Sequence, residues 1–244
     1  MSQNIEVLRA KEATELFGSK STSQRSSEAQ CPVRSDSIGS TIEGELVQRV
    51  FLLPAQEVPR VVVFCRVGQI EGAAGICARA GQNLANQTGS SVCVVDGDFR
   101  SPSLHLCFGL DNSRGFTDAV FESGPIRDFV RSIQGSNLSM LSSGSRCGRA
   151  PALCKLERLR SRIAELRQEF SFVLVYGPQG GQQVDAMLLG QVADGVILIL
   201  ESMVTRRETA RATKENLASA DVKILGAVLH NHNFSIPETL YRRL

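Results

Sequence analysis

The sequence predicts an α/β protein, a doubly wound and mostly parallel sheet with helices on both faces. Three observations carry this. Short runs rich in β-branched residues, with no polar alternation, recur at Val61–Cys65, Val92–Val95, Phe172–Tyr176 and Gly195–Leu200. Strands buried on both faces read this way. Between them stand segments with apolar residues three and four apart, which is helix spacing. Finally, Val92–Val95 runs straight into two aspartates, Asp96 and Asp98. Carboxylates at the carboxyl end of a parallel strand sit where open α/β sheets place their ligands.

The elements follow in order. Ile5, Leu8, Ala13, Leu16 and Phe17 have near-helical spacing before Gly18, which predicts a short helix within residues 1–17. Residues 18–40 are rich in Ser, with Gln, Arg, Gly and Pro; such a stretch buries too little to order itself and reads as a linker. A single domain is then expected over 41–244. Ile42, Leu46, Val50 and Leu53 mark its first helix, stopped by Pro54. After Val61–Cys65 comes a glycine-rich loop with Gly68, Gly72 and Gly75, a helix over about 76–87 ending near Gly89, and the strand at 92–96. This is a βαβ unit of ordinary length.

A short helix from Gly115, an apolar segment at Ile126–Ile133 and a strand at Leu138–Leu141 follow. The clearest helix spans 151–168, with Leu153, Leu156, Leu159, Ile163 and Leu166 in one stripe and arginines 158, 160, 162 and 167 on a face read as solvated. Strand Phe172–Tyr176, a helix over 185–192, strand Gly195–Leu200, a helix over 205–219 and a last strand at Leu225–Leu229 complete the alternation.

Composition sets the function classes aside one by one. The 244 residues are 42% hydrophobic and 21% charged, with a formal net charge of +2. That balance gives no reason to expect a nucleic-acid partner. No apolar run reaches the roughly 18 residues that span a bilayer, and Met-Ser-Gln-Asn-Ile-Glu lacks the basic-then-apolar order of a secretory signal. The expectation is a cytoplasmic protein with no direct membrane insertion. Seven cysteines without a Cys-x-x-Cys pair, several inside apolar runs, read as small core residues rather than as disulfides or zinc ligands. His105, His230 and His232 have no companion set of ligands.

The string Val94-Val-Asp-Gly-Asp-Phe-Arg-Ser-Pro-Ser-Leu-His resembles the second nucleotide motif of the bacterial tyrosine kinases (BY-kinases), Asp-x-Asp-x-Arg-x-Pro. The resemblance continues in register through Phe108–Phe116, Leu138-Ser-Met-Leu-Ser-Ser-Gly, Asp185-Ala, Ala193–Val196 with Thr205, and Gly226-Ala-Val-Leu, covering about residues 41–235. It implies a P-loop NTPase of the ParA/MinD-like branch. ATP and Mg²⁺ would be its cofactors, and its partner would be the cytoplasmic part of a membrane polysaccharide co-polymerase or chain-length regulator. It also implies residues for the nucleotide site: Gly68, Gly72, Ala74, Gly75, Asp98 and Arg100, with Asp96 and Asp98 as catalytic candidates and Asp98 as the metal candidate.

The chain departs from the family where chemistry is done. A P-loop needs Gly-Lys-[Ser/Thr], because the lysine reaches the β/γ oxygens and the hydroxyl holds Mg²⁺. Counting back from Asp96, the lysine position is Ala74, followed by Gly75 and Ile76, or with a shift of one residue Ala73, followed by Ala74 and Gly75, and no lysine lies between Arg60 and Arg79. The third motif, Asp-Thr-Pro-Pro in the family, is Tyr176-Gly177-Pro178-Gln179. The C-terminal tyrosine cluster is reduced to Tyr241, the remaining phosphoacceptor candidate. The family's Glu-x-x-Arg-x-x-Arg subunit helix has Glu45 and Arg49 but no second arginine, so homo-oligomer formation by that contact is weakened. These losses point to a non-catalytic regulator or scaffold in exopolysaccharide or capsule assembly. The alternatives are an atypical autokinase or ATPase that uses Arg66 in place of lysine, and a ParA/MinD-like positioning ATPase.

Overall fold

A computed structural model describes residues 6–9, 42–53, 57–145, 156–180 and 184–231. Its centre is an eight-stranded sheet: β1 (Glu6–Arg9), β2 (Val61–Arg66), β3 (Val92–Asp96), β4 (Arg131–Ser132), β5 (Leu138–Leu141), β6 (Phe172–Tyr176), β7 (Gly195–Glu201) and β8 (Ile224–His230). The spatial order is β1-β8-β7-β2-β6-β3-β5-β4. The inner strands are parallel, and the two outermost, β1 on β8 and β4 on β5, are antiparallel.

Two apolar layers cover this sheet, because every inner strand sends alternate side chains to opposite faces. Val62, Phe64, Val92, Val94, Leu174 and Tyr176 face one layer, which is covered by α1 (Ile42–Val47), α2 (Ala73–Thr88) and α3 (Leu104–Cys107). Val61, Val63, Cys65, Val95, Val173 and Val175 face the other. Against it pack α4 (Phe116–Phe121), α5 (Leu156–Glu169), α6 (Val184–Val192) and α7 (Arg207–Ser219). In α5 the predicted stripe is buried through Leu159, Ile163 and Leu166. Each is worth about 1.5–3 kcal/mol when fully removed from water. The architecture is the doubly wound sheet that the strand pattern predicts.

Four expectations need correction or restriction. Glu6–Arg9, inside the segment expected to be a helix, is instead an edge strand paired with Arg9 opposite Gly226 and Glu6 opposite Leu229. An isolated helix of a dozen residues is marginal in water, whereas the open edge of β8 offers backbone partners. The rest of 1–17 and the linker at 18–40 lie outside the described residues. The first helix does not run evenly to residue 53: α1 passes into a π-helical turn, Gln48–Leu52, which buries Phe51 edge-on against Phe172 with ring centres 5.6 Å apart. Helix α2 begins at Ala73, not 76.

The arginine face of α5 is also not simply solvated. Arg162 donates to the carbonyls of Ala119, Glu122 and Gly124, each at 2.7 Å, and so ties the end of α4 to α5. No helix among the described residues is long and apolar enough to cross a membrane.

Candidate functional site

Strands β2, β6 and β3 are neighbours in the sheet, and their carboxyl ends carry the candidate site. The register sets Tyr176 opposite both Phe64 and Asp96. Arg66 lies two residues past Phe64, and Asp98 two past Asp96. With the two-residue period of a strand, Arg66, Tyr176 and Asp96 all emerge on the α2 face, and Asp98, in the turn after β3, stands against Arg66. Residues far apart in sequence are thereby brought to one place.

Arg66 is its centre. The residue is only 8% exposed. Its Nη2 stands 2.7 Å from Asp98 Oδ2, its Nη1 donates to the Tyr176 hydroxyl at 2.5 Å, and the guanidinium carbon lies 5.7 Å from the centre of the Tyr176 ring. Burial works against the Arg66 charge, but Tyr176 and Asp98 outweigh it and hold the guanidinium more firmly protonated than a free one. Burial also pushes the Tyr176 hydroxyl up to about 12, against the pull of Arg66, so it stays a neutral phenol. The Arg66 backbone carbonyl accepts the Gly180 N–H at 2.8 Å, which joins the turn after β6 to the same residue.

The two aspartates are each engaged by protein groups. Asp96 is fully buried; its Oδ2 accepts the N–H groups of Ser103 and Leu104 at 3.0 and 2.9 Å, and its Oδ1 that of Asp98 at 3.2 Å. It closes the loop after β3 and satisfies free donors at the start of α3. Burial pushes its pKa up, opposed by these backbone donors. Asp98 uses Oδ1 for the N–H groups of Arg100 and Ser101, at 3.2 and 3.1 Å, which leaves Oδ2 for Arg66.

The glycine-rich loop Val67–Gly72 connects Arg66 to α2. Gly68 and Gly72 adopt positive φ, +95° and +76°, which favours glycine at both. The loop is held at its start. Val67 N–H bonds the Ile199 carbonyl at 2.8 Å, and the Thr205 hydroxyl reaches the Val67 carbonyl at 3.3 Å. His230 is buried at the end of β8. Burial lowers its pKa, so the neutral imidazole is favoured. Ala74 and Gly75 occupy the first turn of α2 and are both buried. One turn on, Arg79 pairs with buried Glu43 of α1 at 2.7 Å.

Of the sequence-derived site residues, Asp96 and Asp98 come together at the end of β3, and Gly68, Gly72, Ala74 and Gly75 form the adjoining loop and helix start. Arg100 does not join them: its side chain is 66% exposed and stands 3.7 Å from Asp185. Tyr241 lies outside the described residues. Among the described residues no group of three or more His, Cys, Asp or Glu side chains is placed to hold a metal ion. The roles of Tyr176 and Thr205 were not read from the sequence. The one available signal was a tyrosine standing where the resemblance calls for an aspartate.

Known proteins resemble this chain in sequence and in fold. No family model matches the chain. The tyrosine-protein kinase YwqD of Bacillus subtilis is 30% identical over 149 residues, which are 61% of this chain and 63% of YwqD. The chain therefore spans less than two thirds of that relative's length. Among solved structures, the chimerical protein CapA2B2 superposes with a TM-score of 0.70 at 23% identity, over 77% of this chain and 82% of the other. The cell division ATPase MinD of Pyrococcus furiosus superposes with a TM-score of 0.58 at 23% identity, over 69% and 70%. In sequence the chain is similar to bacterial tyrosine kinases of the CpsD/CapB type, and in fold to CapA2B2 and to MinD.

Proposed function

We propose that this chain is a non-catalytic BY-kinase-like protein that acts as a cytoplasmic regulator or scaffold in exopolysaccharide or capsule biosynthesis and export. Its partner is the cytoplasmic part of a membrane co-polymerase or chain-length regulator, and through that partner it sits at the inner membrane. The observation that carries the reading is the buried Arg66 guanidinium, committed to Asp98 and Tyr176.

A Mg²⁺–nucleotide site needs a cation free to meet phosphate oxygens and carboxylates free to orient the metal. Here the one cation at the loop's start is neutralised within the chain, Asp96 is spent on backbone N–H groups, and Ala74, Gly75 and Ile76 supply neither ammonium nor hydroxyl. The residues present do not fit Mg²⁺–ATP. Opening the site would strand two buried charges, and breaking such a pair costs about 3–5 kcal/mol. What remains is a rigid domain with its turns in place, suited to protein contacts.

The test is titration of the purified protein with fluorescent ADP and ATP, with and without Mg²⁺, beside an Ala74→Lys/Gly75→Ser/Tyr176→Asp variant. The expected result is no saturable binding by the natural chain, with Mg²⁺-dependent binding gained by the variant. Tight Mg²⁺-dependent binding by the natural chain, or labelled phosphate transferred to its own tyrosines, would favour the autokinase instead.

A further inference from the structure

We infer that the Arg66–Asp98–Tyr176 contact is an internal latch. It does from within the chain the loop-ordering work that a bound phosphate does in a nucleotide site. The inference deepens the non-catalytic reading and rests on it.

Strands β2, β6 and β3 are consecutive in the sheet, and one side chain joins the ends of all three. Arg66 ends β2. It donates to the hydroxyl of the last residue of β6 and stands against a carboxylate two residues beyond β3. Its backbone carbonyl takes the Gly180 N–H from the turn after β6. Asp98 passes the restraint on, because its other oxygen holds the N–H groups of Arg100 and Ser101. Three turns at the carboxyl edge are therefore fastened to one guanidinium, which is itself buried. From the opposite side, the Thr205 hydroxyl holds the start of the Val67–Gly72 loop.

In a nucleotide-dependent switch these turns change arrangement as the phosphates and metal come and go. Here the groups that order them are covalent parts of the chain. The turns accordingly keep one arrangement whether or not nucleotide is present, and a partner docking on this edge meets one constant surface.

Backbone hydrogen exchange with peptide-level mass spectrometry tests this on the full chain, with and without Mg²⁺–ADP. In the natural chain the amides of residues 67–72 and 97–103 should exchange slowly, with no change on adding Mg²⁺–ADP. In Tyr176→Phe, which keeps the ring and loses only the hydroxyl, those amides should exchange roughly tenfold faster, the scale of a lost hydrogen bond to a charged group. Amides of β3, Val92–Asp96, serve as an internal reference and should not move.

Unchanged exchange of the two turns in Tyr176→Phe would overturn the latch. So would a uniform acceleration that includes β3, since the hydroxyl would then support the whole fold. Slowing of the natural chain's loop by Mg²⁺–ADP is a different result: it would overturn the non-catalytic reading, whatever Tyr176→Phe does.

Discussion

Replacing Asp98 by Asn removes one negative charge from the Arg66 pair and little else. Asn keeps a side-chain oxygen for the N–H groups of Arg100 and Ser101, now bonded at 3.2 and 3.1 Å, so the turn after β3 retains its acceptor. What is lost is the compensation of a guanidinium whose side chain is 10% exposed, against a carboxylate that is 1% exposed. Burial this deep leaves little solvent screening to discount. Removing one partner of such a pair costs on the order of 3–5 kcal/mol, because the other charge stays buried without its counterion. Since Arg66 still donates to Tyr176, the lower end, about 3 kcal/mol, is expected. For a domain of this size that lowers the Tm by roughly 6–12 °C.

Urea unfolding followed by far-UV circular dichroism gives the stability directly. The decisive comparison is the double variant Arg66→Met/Asp98→Asn. With both charges gone, most of the lost stability should return, as it does when a buried pair is replaced by groups of similar volume. The reasoning fails if Asp98→Asn costs under about 1 kcal/mol, or if the two substitutions simply add.

Four further outcomes follow from the same structure. Gly144 has φ +98°, and a Cβ there would lie 2.2 Å from Asp118 Oδ2, so Gly144→Ala should cost roughly 2–5 kcal/mol in urea unfolding. At Gly135, φ is +75° with open space around it, and the same change should cost only about 1 kcal/mol. Asp194 accepts the N–H groups of Arg60 and Val61 and pairs with Arg167 at 2.7 Å. Burial opposes its charge, but these partners prevail and hold the carboxyl below its ordinary 3.8. A lowered acid stabilises the fold above its unfolded value, and that contribution is lost as pH falls through the lowered one. Asp194→Asn should therefore flatten the acid side of the stability curve below about pH 4. Among the described cysteines, Cys65, Cys77 and Cys93 are buried and Cys107 is partly exposed. Burial pushes the Cys65 thiol up to about 12. Brief alkylation of the native protein followed by peptide mapping should mark Cys107 ahead of these three.

The strands and the helices of the inner sheet were legible because burial on two faces leaves long β-branched runs, and one buried face leaves the stripe Leu159, Ile163, Leu166. The edge strand Glu6–Arg9 was not, since four residues carry no period and their pairing depends on β8, more than two hundred positions away. The π-helical turn after α1 likewise leaves no local mark; Phe51 takes its place from contact with Phe172. At the site, Asp96 and Asp98 stood out by spacing, and the missing lysine by its absence. That Arg66 would spend its charge on Asp98 and Tyr176 was not readable, because that contact depends on which strands are neighbours. Arg162 shows the same limit: on a helical wheel it belongs to the outer face, yet its fork meets three carbonyls presented by the end of α4.

The pairing of β1 with β8 bears on how the protein keeps from sticking to itself. Strand β8 is seven residues long and mostly apolar, Ile-Leu-Gly-Ala-Val-Leu-His. Left bare on one side, a strand of that length and character is a template for edge-to-edge aggregation. Four residues from the far N-terminus cover it, and they are bounded by a glutamate and an arginine. Trimming the first nine residues should thus leave the nucleotide-site region untouched and yet make the protein harder to keep in solution. The strand Glu6–Arg9 serves as a guard on the open edge of β8.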